Sequence, residues 1–585
     1  MAGLRSGRSL IFEAALFCCI GSVGLTCAHS APYPENESDI VRGTVLNSVT
    51  RRPVGRALVY SPDNRFATLT DSDGHFEFKI PLRKPQQKNE GTLPLAGSIL
   101  ASPPEEAIRP AFLMARKPGF ISDENTRGAQ VGPEQKEVTI YLTPAALIAG
   151  HVTLGASEMP ERVRLSIYRR QIQEGRARWT PAGTFRTWAN GEFRFPELPP
   201  GTYKLFTEEL MDRDPLTFDP RGQSYGYPPV YFPAANDFAS GSAIQLSPGA
   251  TFDATLSPTR REYYRVEVGI TNAPEGAPVN VVVSAAGQGG PGYSLGINPQ
   301  AQKIQGMLPD GMYSIEVSSF GTPGATGSTT ISVKGAPVTG DTVALVPNGS
   351  VSVSATEDFT STEGSDDGSQ TGSLDGIRRG LRRYLQVSLE PADEFGQGRG
   401  ASLRQPGGPD DDSLVVENVQ PGRYWVHADS ARGYVASIKS GETDLLHRPL
   451  VVSPGGSTEP IEVTLRDDGA QIEGIIENAP MVPSPLQPTT TSFFYSSQIP
   501  PHIYLFPLPE SSGQFREVWA SPDGRFSSQQ IPPGDYRILA FDRPQRELEY
   551  RNEEAMRNYH AHEQVIRLVA GQKQQLRLHM IAGSD

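Results

Sequence analysis

Apolar and polar positions alternate along this chain in short runs, and the runs are separated by Gly- and Pro-rich turns. Tyr536, Ile538 and Ala540 alternate with polar neighbours directly after Pro532-Pro-Gly534, and Asp523-Gly524 precedes them. Gly tolerates the positive φ that a tight hairpin demands, so the spacing predicts turn, strand, turn, strand. Asn190-Gly-Glu-Phe193 followed by Pro199-Pro-Gly201-Thr-Tyr203 is a second copy, and Thr70-Asp-Ser-Asp-Gly-His-Phe76 keeps the hairpin half. Leu308-Pro-Asp-Gly311-Met-Tyr313 and Val419-Gln-Pro-Gly422-Arg-Tyr424 keep the later half. The glycines Gly201, Gly311, Gly422 and Gly534 fall 110, 111 and 112 residues apart.

A second landmark closes each repeat: Val138–Leu142, Phe252–Leu256, Thr342–Val346, Ile461–Leu465 and Gln574–Leu578 read as final alternating strands. The fold class expected is therefore all-β, a tandem array of five Ig-like or prealbumin-like antiparallel sandwiches. The repeats span 39–145, 146–258, 259–347, 348–467 and 468–582. Each closing strand lies a few residues from the next opening one, which predicts a semi-rigid rod of coupled neighbours. Three segments interrupt the pattern as loops: 84–110, 356–376 (acidic, Ser/Gly-rich and too poor in apolar residues to fold) and 480–501. One helix is expected, near 546–562, where Leu548, Ala555, Met556 and Tyr559 recur at near-helical spacing.

Composition sharpens the class. The 585 residues include 59 Gly and 52 Pro, about a fifth of the chain against roughly 12 % on average. That excess fits many turns. Residues 1–30 read as a secretory signal: Arg5 and Arg8, an apolar run over Leu10–Leu25, then Ala28-His-Ser30. Cys18, Cys19 and Cys27 are the only cysteines and all lie there, so the mature chain would hold no disulfide, thiolate metal site or thiol nucleophile. Export without disulfides points to a bacterial envelope protein, periplasmic, on the outer surface or extracellular. No later stretch has the ~20 apolar residues that span a bilayer as a helix. The net charge of −13, with no basic stripe, argues against nucleic acid.

Gly43-x-Val45, Pro53 to Val59, Thr70 to Phe76 and Lys117-Pro-Gly-Phe120 resemble the carboxypeptidase regulatory-like domain, a prealbumin-like sandwich related to starch-binding-like folds. The resemblance implies a non-catalytic binding or structural array, with polysaccharide or another envelope protein as partner. The other class weighed is an exported hydrolase, or an accessory part of a peptidase or glycosidase system.

Candidate chemistry is sparse, and no catalytic, cofactor or metal residues are assigned. Gly222-Gln-Ser-Tyr-Gly226 and Gly292-Tyr-Ser-Leu-Gly296 match a nucleophile-elbow pattern, which needs a strand before the Ser and a helix after it. Pro228-Pro229 follows the first, and a Gly-rich loop surrounds the second. His560-Ala-His-Glu563 contains the His-x-x-Glu pair of zinc carboxypeptidases, without room for a distant third ligand. Asp71-x-Asp73-Gly74 and the acids Asp366, Asp367 and Asp375 lack the spaced oxygens of a calcium loop. Aromatics are the better lead, since their faces can hold sugar rings. Tyr225, Tyr227, Tyr231 and Phe232 form the densest aromatic loop, to be read as a ligand face or as packing against its own sandwich. The recurring Tyr203, Tyr313, Tyr424 and Tyr536 read as buried rings with bonded hydroxyls. Their successors Lys204, Ser314, Trp425 and Arg537 then point outward. Polar side chains suit that face, whereas Trp425 predicts an inter-domain seam or a ligand surface.

Overall fold

The structure is a computed structural model that describes residues 38–582 apart from 64, 82–111, 122–128, 132–136, 156–162, 213–221, 288–289, 322, 361–383, 396–399, 409–410, 456–457, 479–499, 510–512, 522 and 546. The signal-like segment with its cysteines, the loop 84–110, Asp366, Asp367, Asp375 and most of the loops 356–376 and 480–501 lie outside the described residues. Contacts divide the chain into two compact units. One comprises residues 1–40 and 79–107; the other, 41–78 and 108–585, holds the repeat cores described below.

The fold is an all-β array of sandwiches. In each, the closing strand pairs in parallel with the opening one: 137–142 beside 42–47, 251–256 beside 147–152, 338–344 beside 266–271, 461–466 beside 353–358, and 573–579 beside 471–477. Parallel neighbours need a long crossover, and here the rest of the sandwich supplies it. The chain consequently enters and leaves each sandwich at opposite ends. Glycine in the opening strand permits the close approach: a Cβ at Gly43 would lie 2.2 Å from the Val138 carbonyl oxygen, and one at Gly474 would lie 2.4 Å from that of Leu576.

The hairpin signal is realised as an Asp-Gly or Asn-Gly turn with Gly in the left-handed region, at Gly74 (φ 74°), Gly191 (φ 82°) and Gly524 (φ 79°). In each, the glycine N–H donates to the carbonyl three residues back, on Asp71, Trp188 and Ser521. Asp71 Oδ1 accepts from the amides of Asp73 (2.9 Å) and His75 (2.8 Å), so its carboxylate serves the turn.

The four repeat tyrosines are buried, and each hydroxyl donates to the carbonyl four residues back. The partners are Pro199 (2.6 Å), Pro309 (2.9 Å), Gln420 (2.9 Å) and Pro532 (2.7 Å). The bond ties the Pro-Gly turn to the core and satisfies a hydroxyl whose burial would otherwise cost free energy. Alternation then holds as expected: Tyr424, Val426 and Ala428 face the fourth core. The outward face is not simply solvated, however. Lys204 Nζ donates to the carbonyls of Phe238 (2.5 Å) and Ala239 (3.1 Å). Arg537 is only 7 % exposed and pairs with Glu553 (2.9 Å) and Glu563. Both were expected in water, and both are covered because a carbonyl or carboxylate partner offsets the cost of burying the charge.

Contacts also run between sandwiches that are not adjacent in sequence. Arg178 of the second sandwich is buried against the fourth, pairing with Glu390 (3.0 Å) and donating to the Pro391 carbonyl (2.5 Å). The Trp179 amide donates to the Glu394 carbonyl (2.7 Å), and Phe238 meets Phe395 edge-on at 5.0 Å. A hydrogen bond from His427 and the nearby Arg178 hold the Glu390 carboxyl below the usual carboxylate range. The second sandwich also reaches the fifth, through Arg169 to Glu547 (2.7 Å) and through Arg170 Nη2, which donates to both carboxylate oxygens of Glu549 (2.7 and 2.8 Å).

Two further expectations need correcting. The helix near 546–562 shrinks to Glu553–Met556 with a 3-10 turn at Arg557–Tyr559. Residues 547–550 follow a period of two instead: Glu547 and Glu549 turn to the second sandwich, whereas Leu548 and Tyr550 turn to the fifth. The strand Ser224–Tyr227, within the span of repeat two, pairs with Arg261–Thr271 and so extends a sheet of the third sandwich.

That strand exchange brings Glu209 into the third sandwich. Its Oε1 is shut off from solvent, its Oε2 accepts from the Ser294 amide (3.3 Å), and its neighbours include Tyr263, Tyr293 and Tyr313. Burial pushes the carboxyl up to about 8. A raised acid stabilises the fold fully below its unfolded value, near 4.3, and that contribution is lost as pH rises through about 8. Hydrogen exchange at the Ser294 amide should therefore quicken between about pH 5 and 8 beyond the intrinsic rate, and Glu209→Gln should remove the excess. An unchanged excess in the variant would contradict the assignment. At the fourth sandwich, Tyr424→Ala should lower the stability of its urea transition by about 3–5 kcal/mol. Trp425→Ala should leave that sandwich folded; equal losses would mean that the strand register is wrong.

Candidate ligand-binding cleft

The predicted aromatic loop is internal packing. Tyr231 stacks on Phe206 (5.1 Å, 29°), meets Phe238 edge-on and bonds through its hydroxyl to the Pro291 carbonyl. Burial pushes that hydroxyl well up from the ordinary phenol value. Tyr227 is buried, and Phe232 packs on the second core against Phe252 (5.5 Å). The Arg260 guanidinium lies 3.9 Å from the Tyr225 ring centre. Trp425 is half-buried under Arg176 of the second sandwich, at 3.6 Å, which makes it a seam residue. The structure does not assemble these five into one open face.

A second aromatic cluster lies on the fifth sandwich, buried or partly buried except at Trp519. In the strand His502–Pro507, Ile503 and Leu505 enter the core, so His502, Tyr504 and Phe506 share the opposite face. Across the sheet, Trp519 is the register partner of His502. The segment Pro544–Tyr550 crosses this face, its Gln545 amide donating to the Tyr504 hydroxyl (2.9 Å). A run of rings results. His502 lies over Tyr504 (6.3 Å, 17°), Tyr504 over Phe515 (5.8 Å, 19°), and Phe515 over Tyr550 (4.7 Å, 10°). Trp519 meets His502 edge-on at 6.1 Å and remains 68 % exposed.

These residues enclose a cavity of about 290 Å³, with Glu517, Pro544 and Leu548 completing the fifth sandwich's share of the wall. The remaining wall comes from the second sandwich, at the hairpin tip Glu174–Gly175. Gly175 sits so close that a Cβ there would lie 2.6 Å from the Tyr550 ring. Arg551 secures the tip, donating from Nε to the Glu174 carbonyl (3.0 Å) and from its amide to that of Gly175 (3.3 Å). His502 Nδ1 and Glu517 Oε1 share a 2.5 Å hydrogen bond at one end of the cleft. Burial pushes the Tyr550 hydroxyl up to about 12, so it stays protonated in ordinary conditions.

The chemistry available is recognition: the exposed face of Trp519, with carboxylates and an imidazole nearby. The motifs weighed for catalysis are committed elsewhere. Ser224 opens a strand instead of ending one before a helix, and the Ser294 amide is tied to Glu209. Glu563 pairs with Arg537, and His560 lies 3.4 Å from Glu553. Among the described residues, no group of three or more His, Cys, Asp or Glu is placed to hold a metal. No helix among them is long and apolar enough to cross a membrane.

Reading the sequence for aromatic loops missed this cleft, because His502, Tyr504, Phe506 and Trp519 sit on strands. The available signal was the run His502-Ile-Tyr-Leu-Phe506, bulky on both faces where a solvated sandwich strand should alternate with polar residues. Trp519, just before the last hairpin, pairs with it only through register.

No protein-family model matches the chain, and no curated protein sequence does. Among solved structures it is similar to the Bacillus anthracis TIE protein, at 12 % identity over 53 % of this chain and 50 % of that one, with a TM-score of 0.15. It is also similar to a Streptococcal ancillary pilin (12 %, 55 % and 99 %, TM-score 0.19). A third is the RrgB pilus protein of Streptococcus pneumoniae (10 %, 76 % and 99 %, TM-score 0.13). The chain thus spans half the length of the Bacillus protein.

Proposed function

We propose that the chain is an exported, non-catalytic array of β-sandwiches that binds polysaccharide through the aromatic cleft of the fifth sandwich. The observation that carries the reading is Trp519. An isolated exposed apolar side chain needs no explanation, but this one stands at the mouth of a ring-lined cavity. Its free face suits the apolar side of a pyranose, and the carboxylates and imidazole beside it suit hydroxyls. Export is part of the proposal and rests on residues 1–30. The carboxypeptidase regulatory-like resemblance supports it at the level of the sandwich and of starch-binding-like relatives, an argument from fold analogy.

Titration of the mature chain with maltoheptaose, cellohexaose and chitohexaose tests the reading. At least one should bind, and Trp519→Ala should weaken that binding at least about thirtyfold, the loss of some 2 kcal/mol that a central aromatic anchor supplies. No binding of any of the three, equal binding by the variant, or turnover of a bound sugar would overturn it.

A further inference from the structure

The cleft has one wall from another sandwich, and the residue at its tip is unusual for its place. The strands Arg164–Gln173 and Arg176–Arg186 pair with Gln173 opposite Arg176, leaving Glu174–Gly175 as a two-residue turn. Glu174 has φ 48° and Gly175 has φ 71°, the left-handed pair of a type I′ hairpin. Asn-Gly, Asp-Gly and Gly-Gly are the residues such turns favour; Glu at the first position is strained.

Docking of the tip does not call for the glutamate side chain. Arg551 binds the carbonyls of Glu174 and Gly175, and it is the lack of a side chain at Gly175 that lets the tip pack on Tyr550. Asn or Gly at 174 would supply the same carbonyl. The flanking pairs, Arg169 to Glu547 and Arg170 to Glu549, hold the hairpin independently. Among the described residues, the Glu174 carboxylate has no ion-pair partner, and Glu174 lines the cleft opposite the run of rings from the fifth sandwich.

We infer that Glu174 is a ligand-binding group: its carboxylate accepts hydrogen bonds from sugar hydroxyls in the cleft, so the second sandwich completes the fifth sandwich's site. This rests on the proposed polysaccharide reading and adds to it a specificity-determining contact from a distant part of the sequence. A carboxylate accepts two hydroxyl bonds at once, whereas the ring faces cannot distinguish hydroxyl orientation. The ring stack would supply affinity and Glu174 selectivity among sugars.

The test compares wild type, Glu174→Asn, Glu174→Gln and Trp519→Ala by calorimetric titration with maltoheptaose, cellohexaose and chitohexaose, alongside thermal melting. Glu174→Asn should weaken the best-bound sugar by about ten- to a hundredfold, the range for hydrogen bonds to a charged group, with the melting temperature unchanged or raised because Asn suits the turn. Glu174→Gln keeps the chain length and should lose at least tenfold with wild-type melting. Wild-type affinity in both Glu174 variants, with binding lost in Trp519→Ala, would overturn this inference and leave the cleft reading standing. A lowered melting temperature in Glu174→Asn would mean that the side chain is structural, and also overturns it. Failure of wild type to bind any of the three removes both.

Discussion

The alternation of a β-strand is the constraint on which this molecule depends. A strand that buries a tyrosine must present its next residue on the other face. In the second, fourth and fifth sandwiches that face carries Lys204, Trp425 and Arg537, and protein covers it in each case. The tyrosine itself is fixed twice over, by the core around its ring and by a hydroxyl bond to the turn that launches the strand. Once that bond sets the register, the character of the outer face is decided. Whether that face meets water or another sandwich then depends on what it carries.

What it carries favours docking. The hairpin 164–186 of the second sandwich has arginines at 169, 170, 176 and 178, and each meets a carboxylate or an aromatic face on the fourth or fifth sandwich. Exposed ion pairs of this kind contribute little singly. Arg178 differs, since it is buried with Glu390, and loss of either partner would strand a charge. The cleft is a by-product of the same docking. Residues 547–550 lie between two sandwiches, with Glu547 and Glu549 turned to one and Leu548 and Tyr550 to the other, and the hairpin tip closes the far wall.

Much of the fold was legible in the sequence because its signals are local. Asp-Gly turns, Pro-Gly turns and a tyrosine two residues later need no knowledge of distant residues, and all occur where the repeats place them. The closing landmarks marked the last strand of each repeat, but its parallel pairing with the opening strand was not legible. Failures arose wherever a distant partner decided the outcome. Glu547 and Glu549 look like helix-surface acids until Arg169 and Arg170 are seen across from them. Tyr225 and Tyr227 look like one loop with Tyr231, yet their strand pairs with the third sandwich while Tyr231 closes onto Phe206. Trp519 and His502 are 17 residues apart and meet only through strand register.

The central claim, that the second sandwich docks on the fifth, rests most directly on the ion pair between Arg170 and Glu549. A double-mutant cycle with Arg170→Ala and Glu549→Ala, read on the urea transition of the fifth sandwich, measures the coupling. Docking predicts a favourable coupling of about 0.3–1 kcal/mol, the range for a partly exposed ion pair, and one that shrinks in high salt. Additive single mutants, with no coupling at low salt, would contradict it.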